Sequence, residues 1–286
     1  MIKLQTPVQD NKCKTSISYQ DKILMLGSCF TDNIGEQMMN FGFDICLNPF
    51  GTLYNPVSIL KSLERIVSNE KFTEKDCVEM GSGSHLICSF SHHTLAAKEN
   101  REEFLLSANQ RLSTVHNFFQ KTTCLIITLG TAWCYRHIES GVTVSNCLKR
   151  DAREFERYPL SLEEATKTLA QIKKIAGDRK IIFTVSPIRH LKDGAHGNQL
   201  SKATLLLSID EIMNQMDGID YFPAYEIMMD ELRDYRFYSE DMTHPSPQAV
   251  NYIRERFLDW ALPQKEHLEL EENIRKFRRS QHIQMH

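Results

Sequence analysis

Leu24-Met25-Leu26-Gly27-Ser28-Cys29-Phe30-Thr31-Asp32 is an apolar run that stops at Gly-Ser and passes into helix-forming sequence. Residues 23–26 read as a buried strand, and residues 33–41 as the helix that follows it. A junction of this kind exposes the serine. Glycine lets the chain turn sharply, and the start of the next helix aims unpaired N–H groups and a partial positive charge at whatever Ser28 attacks. The same residues also suit a plainer role, because serine and threonine are common helix N-caps and Ser28 or Thr31 could do no more than cap residues 33–41. Taken alone, the stretch supports both readings.

Outward from it, apolar runs at 124–129 and 180–185, and a weaker one at 219–222, read as further buried strands. Helical patterns occupy residues 56–67, 101–119, 162–175, 198–213 and 225–232. The alternation implies an α/β fold with a mainly parallel sheet covered on both faces, its functional loops at the carboxyl ends of the strands. Residues 70–93 interrupt the rhythm with Gly81-Ser82-Gly83-Ser84 and a strand-like run at 85–90, which predicts an inserted hairpin or lid. Residues 133–158 carry short β-like runs around Gly141 and then many charges, predicting an irregular cap at one end of the sheet. Residues 247–262 read as an amphipathic helix. The expected organisation is one domain over residues 1–262 followed by a charged helical tail, residues 263–286, with frayed ends.

The 286-residue chain has 41% hydrophobic and 25% charged residues, an ordinary globular composition. Thirty-four basic and thirty-seven acidic side chains give a net charge of -3, so no overall field draws in nucleic acid. No apolar run suits a secretory leader or a membrane span, which predicts a cytoplasmic protein. The 8 cysteines are scattered singly, without a Cys-x-x-Cys pair, and read as reduced thiols. His92 and His93 are adjacent and lack a third partner at ligand spacing, so neither a metal nor another cofactor is expected. The Gly81 loop lacks the lysine and helix of a phosphate-binding loop and reads as a turn.

A second chemistry-bearing segment is Asp241-Met242-Thr243-His244-Pro245-Ser246, just before the 247–262 helix. In an Asp-x-x-His turn the carboxylate reaches the imidazole Nδ1 and leaves Nε2 to face a nucleophile delivered by another strand. The plainer reading is a loop in which Ser246 caps the helix and Pro247 fills its first turn. Paired with a Gly-Ser strand end, in the chain order Ser, Asp, His, the segment favours the chemical reading. It predicts that Ser28 Oγ lies about 2.6–3.2 Å from His244 Nε2, or further without ligand.

Gly27-Ser28-Cys29-Phe30-Thr31 closely resembles the Gly-Ser-Cys-Phe-Ala signature of the GSCFA family. Asn48-Pro49-Phe50-Gly51-Thr52, Leu129-Gly130-Thr131-Ala132-Trp133, Ser186-Pro187-Ile188-Arg189-His190, Lys192-Asp193-Gly194 and Asp241-Met242-Thr243-His244-Pro245 resemble its other blocks, in order. That family looks like a branch of the SGNH/GDSL hydrolases. The resemblance implies a flavodoxin-like three-layer α/β/α fold and a catalytic Ser28, Asp241 and His244. It also implies an oxyanion donor in the Gly51 N–H. The third SGNH block normally supplies an asparagine to the oxyanion, whereas this chain has Gly130-Thr131-Ala132-Trp133. Either Thr131, the Trp133 indole or Asn48 replaces it, or the hole is weaker and the chemistry has changed, since losing such a donor costs roughly 3–4 kcal/mol. Arg189 and His190 follow the 180–185 strand and are expected at the substrate, with Arg189 forking onto a carboxylate or phosphate and Lys192 adding a second charge. An ion pair from Arg189 to Asp193 is the alternative.

The function this implies is hydrolysis of an ester through an acyl-enzyme, on O-acyl groups of a small-molecule or carbohydrate ester such as a cell-wall glycan. An O-acyltransferase with the same site and a non-catalytic binding module of the same fold are the alternatives. The acyl group, its acceptor and the oligomeric state stay open.

Overall fold

The computed structural model describes residues 6–9 and 12–283. Along the chain run β1 (Lys22–Gly27), α1 (Cys29–Asn40), β2 (Asp44–Leu47), α2 (Pro56–Ser68), the short strands β3 (Val78–Glu79) and β4 (Ile87–Cys88), α3 (Arg101–Gln120) and β5 (Cys124–Leu129). There follow β6 (Trp133–His137), β7 (Thr143–Val144), β8 (Phe155–Pro159), α4 (Leu162–Ala176), β9 (Lys180–Val185), α5 (Gly194–Gln215) and β10 (Ile219–Phe222). The short α6 (Ala224–Glu226), α7 (Pro247–Ala261) and α8 (His267–Ile283) complete the described chain.

The main sheet has the order β10-β9-β5-β1-β2, and every pairing in it is parallel. Numbered among themselves, these strands run 2-1-3-4-5, the flavodoxin-like order of a doubly wound sheet. Parallel strands covered on both faces must be apolar throughout, and β5 is buried along its whole length. Alternate residues of β1 serve opposite layers. Leu24 and Leu26 pack with Ile59 and Leu63 of α2, Leu112 of α3, Leu169 of α4 and Leu205 of α5. Ile23 and Met25 pack with Ile34 and Met38 of α1, Ile253 and Phe257 of α7 and Leu270 of α8. In this topology the chain leaves β1 toward one side and β5 toward the other, opening a crevice at their carboxyl ends. Ser28 stands on that edge.

Three elements differ from expectation. The strand expected at 85–90 is only Ile87–Cys88, paired antiparallel with β3. Residues 133–158 are more regular than their charges suggested: β6 pairs antiparallel with both β7 and β8 in a separate small sheet. The helix expected at 225–232 is a single turn followed by a wider π-type turn, Ile227–Glu231, whose buried Glu231 accepts the Val8 N–H at 3.0 Å. Helix α8 lies against the main body through Leu270, Ile274 and Phe277, the last edge-on to Phe41 at 6.1 Å. Residues 284–286 of the expected tail lie outside the described residues. Among the described residues no helix is long and apolar enough to cross a membrane, and no group of three or more His, Cys, Asp or Glu side chains is placed to hold a metal ion.

Candidate active site

Gly27 cannot be any other residue here. A Cβ on it would stand 2.4 Å from the Thr128 carbonyl oxygen of the neighbouring strand, a backbone atom with no freedom to yield. The Asn48 side chain then fixes it. Its Oδ1 accepts the Gly27 N–H at 2.9 Å, while its Nδ2 donates to the Gly27 carbonyl at 3.2 Å and to Asp32 Oδ1 at 2.6 Å. The Leu53 N–H adds a third tie, to the Gly27 carbonyl at 2.8 Å. Ser28 is thereby carried at the N-cap position of α1, yet its hydroxyl makes no cap hydrogen bond and has no partner at all among the described residues. The capping role is not the one it plays. Burial raises the Asp32 carboxyl above its usual range, against the opposing donors Asn48 and Thr52.

The second segment forms a tight turn. Asp241 Oδ1 accepts the N–H groups of Thr243 and His244, both at 2.9 Å, and Oδ2 lies 2.5 Å from His244 Nδ1. Those two N–H groups, with the ring, hold the Asp241 carboxyl well below the usual carboxylate range. Thr243 Oγ1 is also 3.0 Å from Nδ1. Met242, at φ 57, takes the left-handed conformation the turn needs. After it, Ser246 Oγ accepts the Ala249 N–H at 3.3 Å and Pro247 opens α7, so the cap and the Asp-His pair coexist.

Ser28 and His244 line one cavity of about 460 Å³, walled also by Tyr54, Trp133, Arg157 and His190, although Ser28 is almost wholly buried there rather than exposed as the junction suggested. The expected hydrogen bond between them is not formed: Ser28 Oγ has no partner among the described residues. Segments more than two hundred residues apart nevertheless meet at one crevice.

The expected oxyanion donors are placed differently. The Gly51 N–H donates to the Asn48 carbonyl at 2.7 Å, and its missing side chain is explained by His93, whose Cβ would be 2.3 Å from a Cβ there. Asn48 is committed to Gly27 and Asp32. Thr131 lines the cavity, but its Oγ1 is 3.0 Å from Ser201 Oγ and accepts the Trp133 N–H at 3.1 Å. The Trp133 ring is also on the cavity, with the Arg157 guanidinium 4.2 Å above it. Nor does Arg189 pair with Asp193, whose carboxylate is bound by Arg157. Arg189 instead ties down the catalytic-looking turn: its Nη1 donates to the Met242 carbonyl and its backbone N–H to the Thr243 carbonyl, each at 3.1 Å. Lys192 Nζ donates to Tyr135 Oη at 2.8 Å on the cavity wall.

Sequence reading missed the residues behind this wall. Lys202, in the middle of α5, is wholly buried, and its Nζ donates to the Gly130 and Ser186 carbonyls, both at 2.7 Å. It binds the ends of β5 and β9 together beneath the cavity. A lone lysine within an amphipathic helix reads as a solvated residue, so no pattern marked it. Asn55 was missed too, although Asn before Pro at a helix start is a signal for it; its Oδ1 accepts the Ser58 N–H at 2.9 Å.

Burial pulls Lys202 down from its ordinary value of 10.5 to about 7. The unfolded chain therefore binds a proton below 10.5 that the folded chain takes up only near 7, and in that interval stability rises with pH. Urea unfolding of wild type and Lys202→Met at pH 7, 8 and 9 should show the wild type gaining on the variant by up to about 1.4 kcal/mol per pH unit. A difference independent of pH would show that this ammonium is not desolvated.

Strand order and the crevice at the reversal of the sheet define an α/β protein with a polar site at the carboxyl edge of β1, β5 and β9. The chain belongs to the GSCFA family, whose model matches residues 22–257. Comparison with curated proteins gives no match. Among solved structures it is similar to a family 3 carbohydrate esterase of Clostridium thermocellum, at 11% identity and a TM-score of 0.39 over 84% of this chain and 94% of that one. It is similar also to an acetyl xylan esterase of the rumen bacterium Butyrivibrio proteoclasticus, at 11% identity and a TM-score of 0.42 over 85% of this chain and 64% of that one.

Proposed function

We propose that the protein is a carboxylic ester hydrolase in which Ser28 is the nucleophile, His244 the general base and Asp241 the group that orients it. One observation carries the reading: a serine at a strand end, its buried hydroxyl without a partner among the described residues, lines the same cavity as a histidine whose Nδ1 is already held by a carboxylate. In this mechanism Ser28 Oγ attacks the ester carbonyl while its proton passes to His244 Nε2. The tetrahedral intermediate collapses, the alcohol leaves with that proton, and water activated by the same histidine releases the acid.

An O-acyl, and in particular O-acetyl, carbohydrate suits the cavity. Trp133 and Tyr135 offer rings beside Arg157 and Lys192, whose N–H groups are donors for sugar hydroxyls. Free thiols at all eight cysteines fit a reducing cytoplasm. In this reading residues 1–262 act as one catalytic unit, capped by the β6–β8 sheet. The test is incubation of the purified full chain with acetylated saccharides and simple acetyl esters, measuring released acetate. Release by wild type that disappears in Ser28→Ala is expected. Equal release by the variant, or none by wild type, contradicts the proposal.

A further inference from the structure

We infer that His190 Nε2 donates to the oxyanion and so occupies the role of the asparagine missing from the third block. The inference rests on the hydrolase reading above. As Ser28 Oγ bonds to the carbonyl carbon and its proton moves to His244, the π pair of the carbonyl shifts onto oxygen. That charge requires donors already in place.

Several backbone donors around Ser28 are engaged elsewhere. The Gly51 N–H serves the Asn48 carbonyl, the Gly130 and Thr131 N–H groups both serve the Tyr54 carbonyl, at 2.8 and 2.9 Å, and the Ala132 N–H serves Ser201 Oγ at 2.7 Å. His190 differs. Its Nε2 is buried and has no partner among the described residues, although the ring lines the cavity with Ser28. It also stands close to the nucleophile. A Cβ built on Gly130 would lie 3.5 Å from His190 Nε2 and 3.5 Å from Ser28 Cβ, so the imidazole edge and the serine flank the bare face of one glycine. Both are ordinary contact distances, and the tightest neighbour of that Cβ is the Tyr54 carbonyl oxygen at 3.2 Å.

The ring is held where it is. The backbone N–H of His190 donates to Asn198 Oδ1 at 3.0 Å, fixing the main chain, and the imidazole meets Tyr54 edge-on with centroids 6.3 Å apart. Burial, then the charge of Lys202, pulls His190 down to about 4, against the opposing Asp193 carboxylate and the Gly130 backbone carbonyl. At neutral pH the imidazole is therefore uncharged. With its proton on Nε2 it is a donor that cannot compete with His244 for the serine proton, since such a nitrogen has no lone pair to offer.

The test follows hydrolysis of p-nitrophenyl acetate by wild type, His190→Ala, His190→Gln and Asn55→Ala, with labelling by diisopropyl fluorophosphate and thermal unfolding of each. Loss of the donor should lower kcat by roughly 10²–10³-fold in His190→Ala with KM nearly unaltered. Glutamine, which keeps an N–H at similar reach, should recover part of the rate. A His190→Ala enzyme with wild-type kcat overturns the inference, as does a loss confined to Asn55→Ala, since Asn55 is another side-chain donor lining the cavity. Should His190→Ala fail to fold, a folded His190→Gln enzyme decides: partial activity supports the donor and complete inactivity contradicts it. Wild type that neither hydrolyses nor labels refutes the underlying hydrolase reading, whereas wild type that does both beside an unimpaired His190→Ala refutes His190 alone.

Discussion

Ser28→Ala and His244→Ala should each lower kcat/KM by roughly 10⁴–10⁶-fold, and the double variant should lose little more than either. Each removes the same event, since a serine without its base and a base without its serine are equally unable to attack. Steady-state hydrolysis of a single ester by the four proteins reads this directly, and losses that multiply would mean the two residues act separately. The result bears on a geometric fact. Ser28 Oγ has no partner among the described residues, while His244 is already bound to Asp241. On the proposed reading the Ser28–His244 hydrogen bond closes when substrate binds, a tightening common at such sites. The turn that delivers His244 is prepared for this by its own carboxylate and by Arg189.

Asn48→Ala should destabilise the protein by about 3 kcal/mol and reduce kcat as well. The amide is buried and makes three hydrogen bonds, so its removal strands the Gly27 N–H and takes a donor from the Asp32 carboxylate. The backbone adds to the loss. Asn48 sits at φ 36, in the left-handed region that asparagine and glycine tolerate better than alanine. Asn48→Gly should accordingly be less damaging than Asn48→Ala despite deleting one more atom. Urea unfolding of the three proteins checks the order. Alanine at or above the stability of glycine would show that the side-chain bonds, and not the backbone, account for the whole effect.

The sheet was legible because parallel strands buried on both faces have little choice but to be short and apolar, and 124–129 and 180–185 match β5 and β9 to the residue. Ser28 was legible for a related reason: the close approach of β1 and β5 leaves room only for glycine before it. Donor assignments were harder. A glycine or asparagine in a loop announces that the backbone does something unusual there, but not with which partner. Gly51 is a glycine because of His93, and Asn48 is an asparagine because of Gly27. Both relations are long-range and depend on loops whose lengths carry no periodicity. The buried Lys202 was hidden more deeply, since only the folded chain brings the Gly130 and Ser186 carbonyls together above it. The π-type turn at Ile227–Glu231 likewise left no mark on a helical pattern.

The central claim is that Ser28 is a nucleophile activated by His244, and it is tested most directly by the site of a covalent label. Wild type and His244→Ala are treated with diisopropyl fluorophosphate, digested, and their peptides mapped by mass spectrometry. One phosphoryl adduct, on Ser28, that forms rapidly in wild type and is strongly suppressed in His244→Ala is the predicted result. An adduct on another residue, or labelling of Ser28 at the same rate without His244, would contradict the account.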